Sequence, residues 1–218
     1  SADASLPLIY LTGQIKENPS TAPNFCMLLR KHIGNARILS VTQPNFERIV
    51  EMQLEHLDEM GDLCQKKLIV EIMGKHSNII FTDADGTIID SIKHISHQVS
   101  SVREVLPGRT YVYPPSQEKE NPLEIDINYF MNHVLRKPVS VTKAIYASLT
   151  GLSPVIANEI CYRAGVDGGM STAGLSMQEQ EDLYAAFDAM RTSIKEEQFA
   201  PCIAYQGYAP KEFAACTL

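Results

Sequence analysis

The sequence predicts an α+β fold in which a mixed, mainly antiparallel sheet precedes a helical domain. Within residues 68–115, short runs rich in β-branched residues alternate with compact turns of Asp, Asn and Gly, which is typical of β-hairpins. The polar, proline-bounded segment 114–122 indicates a linker, and apolar residues recur with helical spacing after it. We therefore expect a β-rich domain over residues 1–116, a helical domain over 117–200, and a return hairpin over 201–218.

The first domain is predicted to hold one helix and a series of strands. The helix covers residues 23–33, with Phe25, Leu28, Leu29 and Ile33 near one face, and Gly34 ends it. Strands are expected where β-branched runs lie between turn residues. They cover residues 6–12, 38–42, 49–57, 68–73, 79–82 and 87–92.

The second half of the chain is predicted to be mostly helical. Helices are expected over residues 123–135, 139–149, 154–164 and 176–195, where the apolar spacing is close to 3.6 residues. Residues 202–205 and 212–216 are expected to pair as a hairpin with its turn near residues 206–208.

Composition indicates a cytoplasmic protein with a sizeable core. The 218 residues are 44% hydrophobic, yet the sequence contains neither a run of ~18 apolar residues nor a signal-peptide pattern, so no membrane association is predicted. The cysteines are odd in number and lack CxxC spacing, which favours a reducing compartment over disulfides or zinc. They are Cys26, Cys64, Cys161, Cys202 and Cys216.

The net charge of −7 argues against nonspecific nucleic-acid binding. The first half is nearly neutral, however, and can present local basic patches. Solvated strand ends are the ordinary explanation for such patches, and recognition of phosphate is the alternative. The patches are Arg30-Lys31-His32, Lys66-Lys67, Lys75-His76 and Lys93-His94.

Two turns carry groups suited to nucleic-acid contact. Residues 74–78 (GKHSN) combine a cation, an imidazole and small polar groups, so Lys75, His76 and Asn78 are candidates for gripping a phosphate or a base edge. Arg109 follows Pro107-Gly108 in a predicted type II turn. Plain β-turns remain the alternative at both places.

Residues 148–160 (SLTGLSPVIANEI) look like a helix-hairpin-helix element. Gly151 would allow a tight turn between helices, and the helix beginning at Ser153-Pro154 would direct backbone amides outward to hold a phosphate. An ordinary corner between two helices explains the same pattern.

Two patterns resemble metal sites but lack the required ligands. His94 and His97 are three residues apart at a strand end, without a third ligand in the sequence pattern. Residues 83–86 (DADG) begin like a calcium loop, but a strand follows where further ligands should stand. We expect neither a metal nor a cofactor.

Three segments resemble the NFACT family, the fibronectin-binding-protein-A-like factors of bacterial ribosome-associated quality control. They are residues 24–32 (NFCMLLRKH), 70–80 (VEIMGKHSNII) and 100–108 (SSVREVLPG). The resemblance implies that the chain is a fragment of a longer protein, with residues before it and a coiled coil and RNA-binding domain after it. It also implies a non-catalytic factor that binds tRNA and the large ribosomal subunit with peptidyl-tRNA, and supports C-terminal alanine tailing of stalled chains.

Glu47-Arg48 matches an acidic–Arg pair that the family uses to engage tRNA, usually Asp-Arg. Glu in place of Asp shifts the carboxylate by about one bond. Strand alternation places the side chains of Arg48 and Ile49 on opposite faces of the strand. Ile49 suits the core, so the Arg48 guanidinium should face solvent. The resemblance favours nucleic-acid contacts at further positions. These are Arg30, Lys31, Lys75, His76, Asn78, Lys93, Arg109, Gly151 and Ser153.

Two other functions remain open at the level of sequence. The family's older name suggests a surface adhesin that binds fibronectin. The succession of a β-rich and a helical domain also resembles DNA-glycosylase repair enzymes, whose chemistry needs an N-terminal amine nucleophile and nearby carboxylates. We expect no enzymatic activity.

Overall fold

The computed structural model describes residues 1–15, 17–115 and 118–218. The chain divides into two compact units, Ser1–Ser116 and Gln117–Leu218, which are described separately. Of the predicted linker over residues 114–122, positions 116 and 117 lie outside the described residues. Within the second unit, Glu120 forms an isolated parallel β-bridge with Leu149. Its N–H donates to the Ser148 carbonyl at 2.9 Å.

The described residues of the first unit form a five-stranded sheet in the order β1-β2-β3-β4-β5. Each neighbouring pair is antiparallel, so the sheet is an up-and-down meander rather than a mixed sheet. Its only long helix among the described residues is α1, Asn24–Ile33. The strands are β1 Arg37–Thr42, β2 Ile49–Leu57, β3 Leu63–Glu71, β4 Asn78–Asp83 and β5 Ile88–Ser91.

The two faces of this sheet are covered by different segments. On one face, Ile49, Ile69, Ile80 and Ile88 form a core with Val105. Val105 belongs to residues 92–115, which we call the strap, and it pairs with Ile95 within it. On the other face lies α1, where the His32 ring is 6.0 Å from that of Phe81, measured between centroids. The alternation of β-branched residues therefore gives both faces apolar contacts.

Two strand predictions in this unit need correction. Residues 6–12 form no strand, although they are apolar, and Leu6, Tyr10 and Leu11 are exposed. A strand needs a neighbour to satisfy its backbone groups, and this segment pairs with none of the described strands. In contrast, β3 begins five residues earlier than predicted, at Leu63, because it pairs along the whole length of β2.

The second unit is helical and has its own core. Phe130, Ile145, Leu149, Ile160, Leu183 and Phe187 are among its buried members. Phe130 and Phe187 stack with their centroids 4.9 Å apart. The helices are α2 Ile127–Tyr129, continued by a π-helical turn Phe130–Val134, α3 Val141–Ser148, α4 Pro154–Arg163 and α5 Met177–Lys195.

The helix predicted over residues 123–135 begins later, at Ile127. Asp126 caps it by accepting a hydrogen bond from the Tyr129 N–H at 2.8 Å. Asn121 accepts from Leu123 N–H and so holds the preceding residues in a turn. Local side-chain capping therefore outcompetes helical spacing at this end.

The later helix boundaries in this unit agree with the prediction to within two residues. Ser176 and Glu179 form a capping box at the start of α5. β6, Cys202–Gln206, and β7, Ala209–Ala214, form the predicted return hairpin, but β7 begins three residues earlier and ends two residues earlier than expected, because Gln206 pairs with Ala209 across a two-residue turn. Among the described residues, no helix is both long and apolar enough to span a bilayer.

Candidate functional site

The antiparallel register brings several predicted contact residues to one end of the sheet. β2 begins where β3 ends, since Ile49 lies opposite Glu71, and β4 begins there too, since Asn78 also lies opposite Glu71. The Ile72 N–H donates to the Arg48 carbonyl at 2.8 Å. We call this end of the sheet the Arg48 end. It comprises Glu47, Arg48, Lys75, His76 and Lys93.

Arg48 is exposed, whereas Ile49 next to it is only 2% exposed. This is the alternation predicted from the sequence. Within the described ranges, neither the Arg48 guanidinium nor the Glu47 carboxylate takes part in a hydrogen bond or ion pair. The backbone of Glu47 is held, however, because Gln43 Nε2 donates to its carbonyl at 2.8 Å. The pair therefore stands on a fixed backbone with both charged groups free for a ligand.

The backbone just before this pair has an unusual conformation. Asn45 and Phe46 have φ angles of 53° and 57°, which lie in the left-handed region. This region disfavours residues with a Cβ, most strongly bulky ones such as Phe, and it costs roughly 1–2 kcal/mol per residue. The Glu47 N–H closes the turn on the Pro44 carbonyl at 3.0 Å. Strained backbone of this kind is characteristic of functional sites.

The turn Gly74–His76 lies two residues after β3, at the same end of the sheet. Gly74 has φ +55°, and Lys75 and His76 are exposed. Ser77 behind them is buried, and its Oγ accepts a hydrogen bond from Met73 N–H at 2.8 Å. The turn therefore exposes a lysine and an imidazole, while the buried Ser77 holds its backbone in place.

Asn78 has to be removed from the candidate contacts. Its side chain is 2% exposed and bonds the backbone of Lys93 twice, at 2.9 Å through Nδ2 and at 3.1 Å through Oδ1. It therefore ties β4 to the strap. The ammonium of Lys93 donates to the Ala2 carbonyl at 2.9 Å, so Lys93 is available to a ligand only if that bond is exchanged.

The remaining candidates of the first unit lie at the opposite end of the sheet. Lys31 is 3.7 Å from Glu59, which lies in the turn between β2 and β3, and Arg30 is the neighbour of Lys31 on α1. The carbonyl of Arg109 pairs with Ile88 at the start of β5, and its side chain is 3.2 Å from Glu104. Arg30, Lys31 and Arg109 therefore do not belong to the Arg48 end.

The two histidines of the strap have separate acidic partners. His94 Nε2 is 2.6 Å from Asp90, and His97 Nε2 is 3.4 Å from Glu104. Asp83, in the loop that resembles a calcium site, accepts from Thr87 N–H across a turn with Gly86 at φ +87°. In the parts of the chain that the structure describes, no three His, Cys, Asp or Glu side chains are grouped to hold a metal ion.

A buried polar network, which was not predicted from the sequence, lies next to the Arg48 end. Its centre is Glu71, which pairs with Ile49 across the strands. The Glu71 carboxylate accepts from Arg103 at 2.8 and 2.5 Å and from the Tyr111 hydroxyl at 2.9 Å. Burial, reinforced by the negative charge of Glu71, raises the pKa of Tyr111 above its ordinary value. The signal in the sequence was Glu71 within the apolar run LIVEIM. A glutamate buried in such a run needs a buried partner for its charge.

In the second unit, Gly151 and Ser153 lie where the sequence places them. Gly151 has φ +75°, and Ser153 caps α4 by accepting from Ile156 N–H at 3.3 Å. Pro154 follows at the first helical position. Both Gly151 and Ser153 are exposed, so the beginning of α4 is open to a ligand.

Comparison with known proteins identifies the family. The family model described as NFACT N-terminal and middle domains matches residues 1–218. The chain belongs to this family. The match extends over segments 24–32, 70–80 and 100–108, and the Arg48 end lies within it.

Proteins named Rqc2 homolog RqcH are among its relatives. The one from Bacillus subtilis is 39% identical over 204 residues, which is 93% of this chain and 34% of the relative. An archaeal Rqc2 homolog from Methanocaldococcus jannaschii is 32% identical over 82% of this chain and 25% of its own length. The chain therefore spans a quarter to a third of the length of these curated relatives.

Solved structures of similar fold belong to proteins named for binding fibrinogen or fibronectin. The fibrinogen binding protein from Staphylococcus aureus has a TM-score of 0.79 and 26% identity, covering all of this chain and 73% of that one. The N-terminal part of the fibronectin/fibrinogen-binding protein from Streptococcus suis has a TM-score of 0.75 and 31% identity, covering all of this chain and 74% of that one.

Proposed function

We propose that this chain belongs to a cytoplasmic factor of ribosome-associated quality control that binds tRNA and the large ribosomal subunit carrying peptidyl-tRNA. In this role it supports C-terminal alanine tailing of stalled nascent chains and performs no chemical step itself. The observation that carries the proposal is the 39% identity to the Bacillus Rqc2 homolog over 93% of the chain.

The geometry of the Arg48 end supports contact with tRNA. A guanidinium without a described partner can form paired hydrogen bonds to a phosphate or to a base edge. Lys75 and His76 are exposed at the same sheet end and can neutralise neighbouring phosphates. Glu47 beside Arg48 can accept hydrogen bonds from base amino groups, which gives the pair a means of reading a base.

In the second unit, residues 148–160 are proposed to act as a helix-hairpin-helix. The left-handed Gly151 and the start of α4 at Ser153 are exposed, so unbonded backbone N–H groups of the first helical turn could reach a ligand. Such N–H groups, together with the helix dipole, favour a phosphate of the nucleic-acid backbone.

The test is capture of RNA and protein partners by the protein as its host makes it, at a series of salt concentrations. We expect tRNA and ribosomal RNA, both weakening steeply as salt rises because binding releases counterions. Purified tRNA should bind in titration, and stalled large subunits should co-sediment. Failure of both tRNA and large subunits to bind at low salt would refute the proposal.

Binding of fibronectin or fibrinogen is a second candidate, favoured by the names of the proteins whose solved structures are similar. Immobilised fibronectin and fibrinogen, with serum albumin as the control protein, test it directly. Saturable binding to either one that persists at moderate salt, together with no tRNA binding, would favour this candidate.

A further inference from the structure

The helical unit contains an open cleft that the Arg48 end does not include. Its volume is about 470 Å³, and it is a shallow depression that is largely open to solvent. It lies between the segment before α2, the segment before α3, and α3 itself. The lining residues are Glu118, Lys119, Lys137, Tyr146 and Ala147.

The two lysines of the cleft project from backbone that is held in place. The Lys137 carbonyl accepts a hydrogen bond from Thr172 Oγ1 at 2.6 Å, and Val139 N–H donates to the same carbonyl. Next to Lys119, Glu120 exchanges backbone hydrogen bonds of 2.9 Å with Ser148 and Thr150. Both lysine positions are therefore tied to the core of the unit, which limits the entropy that a ligand would have to remove.

The cleft lining holds more positive than negative charge, although the unit is acidic. Residues 118–218 hold 8 Lys/Arg and 13 Asp/Glu, a net charge of −5. Lys119 and Lys137 line the cleft with Glu118, and Lys143 lies three residues before Tyr146 on the same side of α3. Among the described residues none of the three forms an ion pair, while Arg163 and Arg191 do. A local cationic site on an acidic unit selects an anionic ligand.

Tyr146 adds an aromatic surface to this charge. Its ring is half-buried, so one side is packed and the remainder is available in the cleft. Nucleobases stack on exposed aromatic rings, whereas inorganic anions gain nothing from them. Glu118 supplies a carboxylate that would repel a second phosphate but accepts hydrogen bonds from a base amino group.

We propose that this cleft binds one nucleotide, with its phosphate between Lys119 and Lys137 and its base against Tyr146. The inference rests on the proposed function in taking RNA as the source of that nucleotide, and a free nucleotide would present the same chemistry. It adds a second RNA contact in the helical unit, separate from Gly151 and Ser153.

The test is a titration of the protein as its host makes it with labelled tRNA and, separately, with AMP. We compare Lys119→Ala/Lys137→Ala and Tyr146→Leu with Lys211→Ala, a control that removes an exposed lysine of β7. Each cleft variant should weaken binding about tenfold, and the double variant should lower the salt slope by about 1, because both lysines contact one phosphate. Tyr146→Phe should retain binding because it keeps the ring. Thermal melts verify that each variant is folded.

The outcomes separate this inference from the function on which it rests. Normal tRNA and AMP affinities in folded Lys119→Ala/Lys137→Ala would overturn the cleft proposal and leave tRNA binding intact. AMP binding that the double variant loses, in a protein that does not bind tRNA, would support a free-nucleotide cleft and refute the proposed function. Binding of neither probe by the unaltered protein would overturn both.

Discussion

Arg103 donates hydrogen bonds from both terminal nitrogens to the Glu71 carboxylate, which is fully buried. One of those nitrogens also donates to the Val112 carbonyl at 2.8 Å. The pair therefore joins the end of β3 to two points of the strap. Because Glu71 lies opposite Ile49, the same contact supports the strand that begins just after Arg48.

Replacing Arg103 should be among the most destabilising single changes in the first unit. Arg103→Ala would leave the Glu71 charge buried without its partner, at a cost of about 3–5 kcal/mol in the free energy of unfolding. Urea denaturation measures this directly. Arg109→Ala is the matched control, since its side chain is 63% exposed in its pair with Glu104 and should contribute less than about 1 kcal/mol.

The double variant Glu71→Leu/Arg103→Met extends this test. It removes both charges together and should recover much of the loss, because the penalty comes from an unpaired buried charge. If the double variant were no more stable than Arg103→Ala, the loss would come from removing the ion pair and not from leaving the Glu71 charge unpaired.

Stability should fall at alkaline pH through Tyr111. Burial, together with the Glu71 charge, raises the folded-state pKa of this phenol above its ordinary 10.0. A raised pKa means that the stabilisation is complete below about pH 10 and is lost as pH rises towards the folded-state pKa. Unfolding free energies should therefore stay level up to about pH 10 and decline above it, and Tyr111→Phe should flatten the decline.

Tyr113 provides the comparison for that measurement. Burial, then its hydrogen bond to Glu51, raises the pKa of Tyr113 to about 12, but its side chain is 46% exposed. Tyr113→Phe should flatten the alkaline decline less than Tyr111→Phe does. An equal or larger effect at Tyr113 would contradict the central role of the Glu71 network.

Arg48→Ala should separate tRNA binding from folding. The exposed guanidinium has no described partner, so the melting temperature should stay almost unchanged, whereas tRNA affinity should fall by about 1–3 kcal/mol. Arg37→Ala is a suitable control, because Arg37 is also exposed but lies at the opposite end of the sheet. Lost stability with unchanged tRNA affinity would remove Arg48 from the proposed interface.

Gly151→Val should destabilise the helical unit because a β-branched residue is strained at φ +75°. We expect a loss of roughly 1–3 kcal/mol in unfolding free energy. Gly151→Asn should lose less, since Asn tolerates the left-handed region. Equal stability for Val and the native Gly would mean that the turn adapts without strain.

The parts of the fold that were predicted well depend on local chemistry. β2 was predicted at its observed bounds, Ile49–Leu57, because its alternation matches a sheet with two covered faces. Apolar spacing located α5 over residues 176–195 in the same way, and the structure shows Ser176 capping its start. In both elements the determining residues lie within one segment.

The errors in the first unit occurred where a distant segment decides the outcome, whereas the late start of α2 is a local effect of the Asp126 cap. Residues 6–12 have strand composition but no described strand beside them, and β3 extends to Leu63 because β2 supplies a full-length partner. The candidate site divided similarly. Arg48 was located by alternation, but Asn78 was misassigned because its bonding partner, Lys93, lies 15 residues away. Glu71 and Arg103 are 32 residues apart, beyond any local pattern.

The meander order of the sheet also bears on when the Arg48 end forms during synthesis. Each strand pairs with the strand made just before it, and the strap that closes the network is complete by residue 115. Translating the following ~100 residues takes roughly 5–20 s, whereas small antiparallel domains fold within milliseconds to seconds. We therefore expect the first unit to fold while the chain is still attached to the ribosome that synthesises it, before the helical unit has emerged. Protease-resistant nascent chains arrested just after the first unit leaves the exit tunnel would demonstrate this, and protease-sensitive ones would refute it.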